Sequence, residues 1–342
     1  MTNNKNHRIK IIAEVGVNHN GNINIAKKFI KLSKEAGADI VKYQVFTAKN
    51  FVSAKALKAD YQKKNSKKTK NQLEMLKGLE LSRKTFSQIY YHCKKQKIEF
   101  LASIFDFENF DLIKKFNFKR IKISSGEINN FIYLDKVSKY KLPLIISTGG
   151  STLSEIDKCI NFLIKKGITL KEITLLQCNS EYPSPFVDIN LKVMETLKKN
   201  FDTDIGISDH SLGIEVPIAA AALGAKIIEK HVTLNNRMKG PDHAASLGIK
   251  DFKIMISKIR NIEEAMGNGV KLVSNSEKKN VLLMRKSIFA KTEIKKGEIF
   301  TDNNISLKRP AIGLQPIMWD KLKKKKAHKT FKKDQLITLP KN

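Results

Sequence analysis

Eight short apolar segments alternate with stretches of helical periodicity over the first three quarters of the chain, and this alternation limits the fold more than any other feature. The strand candidates are 10 to 15, 39 to 45, 98 to 103, 119 to 123, 143 to 147, 172 to 177, 204 to 207 and 226 to 230. Helix-like stretches lie between them at Ile25 to Ala36, Arg83 to Lys95, Glu108 to Phe116, Leu153 to Lys166, Leu191 to Lys199 and Ile214 to Leu223, with a last one at Lys250 to Met266. Parallel strands need crossovers of helix length, so eight such units predict an α/β fold closed as a (β/α)8 barrel, for which about 250 residues suffice.

The 342-residue chain is longer than that. The expected partition is a barrel over 1–270, a linker over 271–283 and a small β-rich domain over 284–342, where short strand-like runs such as Ser287-Ile288-Phe289-Ala290 alternate with turns. The longest interruption of the barrel pattern, Phe51 to Gly78, follows the second strand and belongs on the face where barrel enzymes carry their active sites.

On that face the strand ends are polar almost throughout. Two histidines, His210 and His231, lie 21 residues apart, about one strand-helix unit, each at the end of an apolar run. Successive parallel strands would bring both imidazoles to one end of the sheet. Two imidazoles without cysteine leave room for water and a substrate oxygen, which suits Mn²⁺ or Mg²⁺ as a Lewis acid better than a closed zinc site. Lys42 and Lys122 sit inside apolar strands, where a buried ammonium needs a counter-charge; with Ser103, Ser125 and Ser208 nearby they suit a phosphate and a carboxylate. Each of those serines taken singly would serve equally as a helix cap. Glu14 and Glu127 fit either ion pairing with the lysines or proton transfer.

Composition narrows the class. The net charge of +31 is diffuse and lysine-dominated, with +11 of it in the last 59 residues, so general compositional bias accounts for it better than a nucleic-acid site, although it would attract an anionic substrate. No apolar run approaches the ~20 residues of a membrane span and Met1 to Lys10 is polar, which points to a cytoplasmic protein. Cys93, Cys159 and Cys178 have no metal-type spacing and are expected to be reduced thiols.

Several motifs in order and spacing resemble the sialic acid synthase family: Ala13 to Gly21 (AEVGVNHNG), Lys42-Tyr43-Gln44, Lys58 to Gln62 (KADYQ), Ser125-Gly126-Glu127, Cys178 to Pro183 (CNSEYP), Ser208 to Ser211 (SDHS), Glu229-Lys230-His231, Gly240 to His243 (GPDH) and Lys308-Arg309-Pro310. The resemblance spans the chain. It implies a TIM barrel followed by a C-terminal SAF (antifreeze-like, β-clip) domain, and a domain-swapped homodimer in which that domain covers the partner's site. The implied reaction condenses phosphoenolpyruvate with N-acetylmannosamine or a related 2-acetamido hexose and water, giving a nonulosonic acid such as N-acetylneuraminate and releasing phosphate. A 6-deoxy-diacetamido hexose, leading to legionaminate or pseudaminate, is the alternative acceptor, and a non-catalytic sugar-acid binder a more distant one.

Carried over by position, the resemblance makes His210 and His231 metal ligands and Glu14 and Glu127 the acid-base pair. Lys42, Ser103, Lys122, Ser125, Ser180 and Ser208 would contact phosphoenolpyruvate, with Gln44, Tyr182 and Asp242 near the sugar, Arg309 reaching the N-acetyl group across the dimer, and Asn179 a further substrate-binding residue. The chain departs from the family pattern at Ala102-Ser103-Ile104-Phe105, where a proline is usual, at Val232, where an aromatic is common, and at Ala311-Ile312-Gly313.

Overall fold

The structure, a computed structural model, describes residues 8–340; the polar start at Met1 to His7 lies outside the described residues. The chain divides after Gly267 into two compact units.

In the first unit, β1 (Lys10–Gly16) leads to α1 (Ile23–Ala36), and β2 (Ile40–Val45) leads to three short helices, α2 (Ala48–Phe51), α3 (Asp60–Asn65) and α4 (Gln72–Lys77), before α5 (Arg83–Lys95). Then follow β3 (Glu99–Ile104), α6 (Asp111–Lys115), β4 (Ile121–Ile123), α7 (Phe131–Ser138), β5 (Leu144–Ser147), α8 (Leu153–Lys165), β6 (Ile173–Cys178), α9 (Phe186–Ile189), α10 (Val193–Asn200), β7 (Asp204–Asp209), α11 (Glu215–Ala222), β8 (Ile227–Thr233), the two-residue β9 (Leu247–Gly248) and α12 (Ile249–Ala265). Strands β1 to β8 pair in sequence order, all parallel, and β8 pairs back onto β1, so the sheet closes. This is the expected (β/α)8 barrel.

Local chemistry explains the helix ends. The Asn22 side chain accepts from the backbone N–H groups of Asn24 and Ile25 at the start of α1, and Gly37, at φ 99°, closes its far end. Thr152 and Glu155 form a capping box on α8.

Two faces of the sheet bury different cores. The outward side chains, among them Val41, Tyr43, Phe100 and Ile123, pack under the helices. Inside the barrel Ile12, Ile40, Leu101, Ile145, Leu176 and Ile227 form a separate apolar floor. Since strand side chains alternate, the next inward residue on each strand is two positions on: Glu14, Lys42, Ser103, Ser147, Cys178 and Glu229. On β7 that floor position is Gly206, where a Cβ would stand 2.2 Å from the Ile227 carbonyl oxygen and 2.7 Å from Leu176. Only glycine fits there.

The structure amends several boundaries. Strands β7 and β8 run on to Asp209 and Thr233, so His231 lies within its strand. Helix α7 between β4 and β5 went unexpected, because its apolar residues lack a clear polar face, and the long segment after β2 is not a plain loop but carries three helices. The Glu108 to Phe116 stretch is split at Phe110 into a 3₁₀ turn and α6.

The second unit has its own core of Ile288, Ala290, Ile294, Phe300, Ile305, Phe331 and Ile337 around an antiparallel pair, β10 (Ser287–Ala290) and β11 (Ile305–Lys308). Helix α13 (Lys278–Met284) occupies part of the expected linker, and α14 (Trp319–Leu322) closes the unit's helices. Among the described residues all three cysteines are free, and no helix is long and apolar enough to cross a membrane.

Candidate active site

The C-terminal mouth of the barrel opens into a cavity of about 380 Å³. Glu14, Lys42, Gln44, Ser103, Lys122, Ser125, Glu127, Ser180, Tyr182, Ser208, His210 and His231 all line it, so twelve of the residues singled out from sequence meet in one place.

At its base two lysines and two carboxylates share a dry compartment. Lys42 Nζ lies 3.0 Å from Glu14 Oε2, 3.4 Å from Glu229 Oε1 and 3.3 Å from Ser103 Oγ. Lys122 donates to Ser147 Oγ at 2.6 Å and stands 3.8 Å from Glu229 Oε1, which also accepts from Ser208 Oγ at 3.0 Å. All four charged groups are at most 4 % exposed, so an anion entering here would meet nearly unscreened charge.

Burial lifts the Glu14 pKa to about 7, with the neighbouring Glu229 adding to the rise and Lys42 opposing it. Burial acts on Glu229 in the same direction, but Lys122 and Lys42 outweigh it and hold that carboxyl below its ordinary value. The two acids are therefore driven apart: Glu229 is ionised near neutrality while Glu14 is poised to give or take a proton. Glu127, half-buried on the other side of the cavity, accepts from Asn130 Nδ2 at 2.7 Å and is raised by burial.

Above this layer the rings of His210 and His231 have centroids 5.5 Å apart. His210 Nδ1 lies 2.5 Å from the Asn179 carbonyl oxygen and so carries a proton, while Nε2 faces the Tyr182 hydroxyl at 2.9 Å. His231 is kept neutral by burial, reinforced by the cations around it such as Lys42, and its Nδ1 is buried without a hydrogen-bond partner. A neutral imidazole, an unpaired ring nitrogen and a carbonyl-oriented partner suit two ligands of a divalent cation. Among the described residues no group of three or more His, Cys, Asp or Glu could hold an ion, so water and substrate would supply the remaining positions.

Two expected contacts do not line the cavity, Asn179 and Asp242. Asn179 is used by its loop: its side chain accepts from the Glu181 N–H and Ser184 Oγ, and its carbonyl orients His210. Asp242 is buried near Tyr61 and Tyr182, whose phenols are raised by burial with the Asp242 charge adding to it, and burial lifts its own pKa to about 6. Arg309 is exposed in the C-terminal unit, at a cis Arg309–Pro310 bond.

Sequence reasoning left Glu229, Ser147, Cys178, Phe51 and Phe105 without a role, yet each lines the cavity. Glu229 was detectable, since it stands two residues before His231 on one strand and must share its face. Phe51, the last residue of α2, and Phe105, just past β3, meet with tilted rings 4.5 Å apart between centroids, a contact with no sequence periodicity.

The NeuB family model matches residues 29–271 and the SAF domain model residues 285–341. The N,N'-diacetyllegionaminic acid synthase of Campylobacter jejuni is 48% identical over 96% of this chain and 98% of that protein. Human N-acetylneuraminate-9-phosphate synthase is 34% identical over 88% of this chain and 83% of its own length. Among solved structures, the N-acetylneuraminic acid synthetase of Leptospira borgpetersenii superposes with a TM-score of 0.70 at 31% identity, over 80% of this chain and 90% of that one. Barrel, polar mouth and relatives agree, and the chain belongs to the NeuB family, with a SAF domain at its C-terminal end.

Proposed function

We propose that the protein condenses phosphoenolpyruvate with an open-chain 2-acetamido hexose and water, forming a nonulosonic acid and releasing phosphate. The observation that carries this reading is the Lys42–Lys122 pair, surrounded by Ser103, Ser147 and Ser208 and lying under two imidazoles in one cavity. Two fixed cations suit a substrate with both a carboxylate and a phosphate. Of the acceptors, a 6-deoxy-diacetamido hexose is favoured over N-acetylmannosamine, because the synthases named for diacetyllegionaminic acid stand at 48% and 41% identity against 34% for the human N-acetylneuraminate-9-phosphate synthase.

In this mechanism C3 of phosphoenolpyruvate forms the new bond to the sugar aldehyde carbon, water adds at C2, and phosphate leaves from the resulting tetrahedral carbon. Lys42 and Lys122 hold the two anionic groups in register and stabilise charge as it redistributes. Glu229, ionised, keeps both ammonium groups in place. Glu14 or, from the opposite side, Glu127 relays the proton exchanged with water. A divalent ion such as Mn²⁺ or Mg²⁺ on His210 and His231 would supply Lewis-acid polarisation of the aldehyde. A cytoplasmic homodimer in which the partner's SAF domain brings Arg309 to the sugar belongs to the same reading.

The test is direct. Purified protein with phosphoenolpyruvate, Mn²⁺ and either a 2,4-diacetamido-2,4,6-trideoxy hexose or N-acetylmannosamine should release phosphate and yield a product whose mass equals acceptor plus pyruvate, faster with the former. No phosphate with any 2-acetamido hexose would sink the reading; a preference for N-acetylmannosamine would overturn the acceptor assignment only.

A further inference from the structure

One pair of charges in the barrel wall does no work in the cavity. Asp209 on β7 and Lys230 on β8 are direct cross-strand neighbours, 2 % and 1 % exposed, with Lys230 Nζ 2.5 Å from Asp209 Oδ2. Strand alternation turns both away from the interior, where Ser208 and Glu229, the preceding rung, bond to each other. The pair therefore lies in the layer between sheet and helices, which is otherwise mostly apolar.

Stability gives little reason for it. Burying two charges there carries a desolvation cost that their attraction only partly offsets, and apolar residues of similar volume commonly do as well or better. What distinguishes the pair is its address: Asp209 immediately precedes His210 and Lys230 immediately precedes His231. Lys230 Nζ also donates to the Ser211 carbonyl at 2.5 Å, and Asp209 Oδ1 accepts the Ser211 N–H at 2.9 Å. The residue before His210 thus belongs to the ion pair and the residue after it is bonded to both members, and the pair ties this segment to the residue before the second imidazole.

We propose that Asp209 and Lys230 are positioning residues for divalent-metal binding, fixing the spacing and rotation of the His210 and His231 rings from outside the barrel. The inference rests on the metal reading given under Proposed function. A two-ligand site tolerates displacement of only about 0.5 Å before a ligand is lost, and partners that orient metal ligands typically contribute 10- to 100-fold in affinity.

The experiment measures Mn²⁺ binding to the full chain by electron paramagnetic resonance, without substrates, beside thermal unfolding of the metal-free protein. The double variant Asp209→Asn with Lys230→Met removes both charges while keeping shape and an acceptor for the Ser211 N–H. It should unfold within a few degrees of the wild type yet bind Mn²⁺ at least tenfold more weakly. Lys230→Arg keeps the charge at a different reach and should fold normally with intermediate affinity. Wild-type affinity in either variant overturns the proposal, as does a loss of binding that merely tracks a loss of stability. Absence of Mn²⁺ binding by the wild type, or binding retained in His210→Ala, would instead overturn the metal reading and this inference with it.

Discussion

The Tyr182 hydroxyl is hydrogen-bonded to His210 Nε2 at 2.9 Å, the ring nitrogen not engaged by the bond from Nδ1 to the Asn179 carbonyl. The two rings also stack, with centroids 4.0 Å apart, and Tyr61 stacks on the outer side of Tyr182 at 5.1 Å. A cation at Nε2 must therefore displace this hydroxyl. Exchanging one hydrogen bond is worth about 1 kcal/mol, so Tyr182→Phe should bind Mn²⁺ several-fold more tightly in a calorimetric titration. Unchanged or weaker binding would show that Tyr182 does not compete for that nitrogen.

Lys42 is the hub of the buried charges. Lys42→Met leaves Glu14 and Glu229 without their shared cation, and removing one partner of a buried pair costs about 3–5 kcal/mol. A fall in denaturation midpoint of that size should accompany loss of phosphate release. In Lys42→Met with Glu14→Gln the stability should largely return while the activity does not, because the substrate's anionic group still lacks its cation.

The Glu14 carboxyl has a folded pKa of about 7 against an ordinary 4.5. Between those values the folded protein holds a proton that the unfolded chain has released. The contribution of Glu14 to stability is thus fully present below about pH 4.5 and is lost as the pH rises through 7, a drift on the order of 3 kcal/mol. Glu14→Gln, which mimics the protonated form, should unfold with a flatter pH dependence than the wild type between pH 5 and 7. Parallel curves for the two proteins would remove Glu14 as the titrating group. The same substitution should abolish any activity limb near pH 7 if Glu14 relays the proton.

Gly16 has φ +54°, and a Cβ there would stand 3.2 Å from both Glu14 Oε1 and His231 Cε1. Gly16→Ala should cost about 1–2 kcal/mol in backbone strain and lower turnover by more than that loss of stability accounts for, because the methyl group wedges between two site residues. Wild-type turnover in a stably folded Gly16→Ala would mean that Glu14 and His231 can part without consequence.

The barrel was legible because its signal is repeated eight times and each repeat has the physical length of one strand and one crossover. The buried lysines of the cavity were legible because each is a charged residue that interrupts an apolar strand, as at Lys42 and Lys122. Two kinds of information were not. Helix α7 has weak amphipathicity, since Phe131 and Ile132 are exposed while Tyr133 and Leu134 are buried, and so it lacks the polar face that marks a surface helix. Contacts between segments beyond the strand ends, such as Phe51 of α2 on Phe105 or Tyr61 of α3 on Tyr182, depend on tertiary placement rather than spacing. Glu229 is the intermediate case: its strand face was fixed by His231, but its role emerges only when both lysines converge on it.

The apolar floor of Ile12, Ile40, Leu101, Ile145, Leu176 and Ile227 lies one inward step below Glu14, Lys42 and Glu229, on the same strands. Lys42, Lys122 and the groups around them are thereby rooted in the hydrogen-bonded barrel strands, whereas Phe51, Phe105 and Tyr182 are carried by segments beyond the strand ends. Evolution, or an engineer, can exchange those outer segments to admit a different sugar while the foundation and its phosphate chemistry are inherited intact.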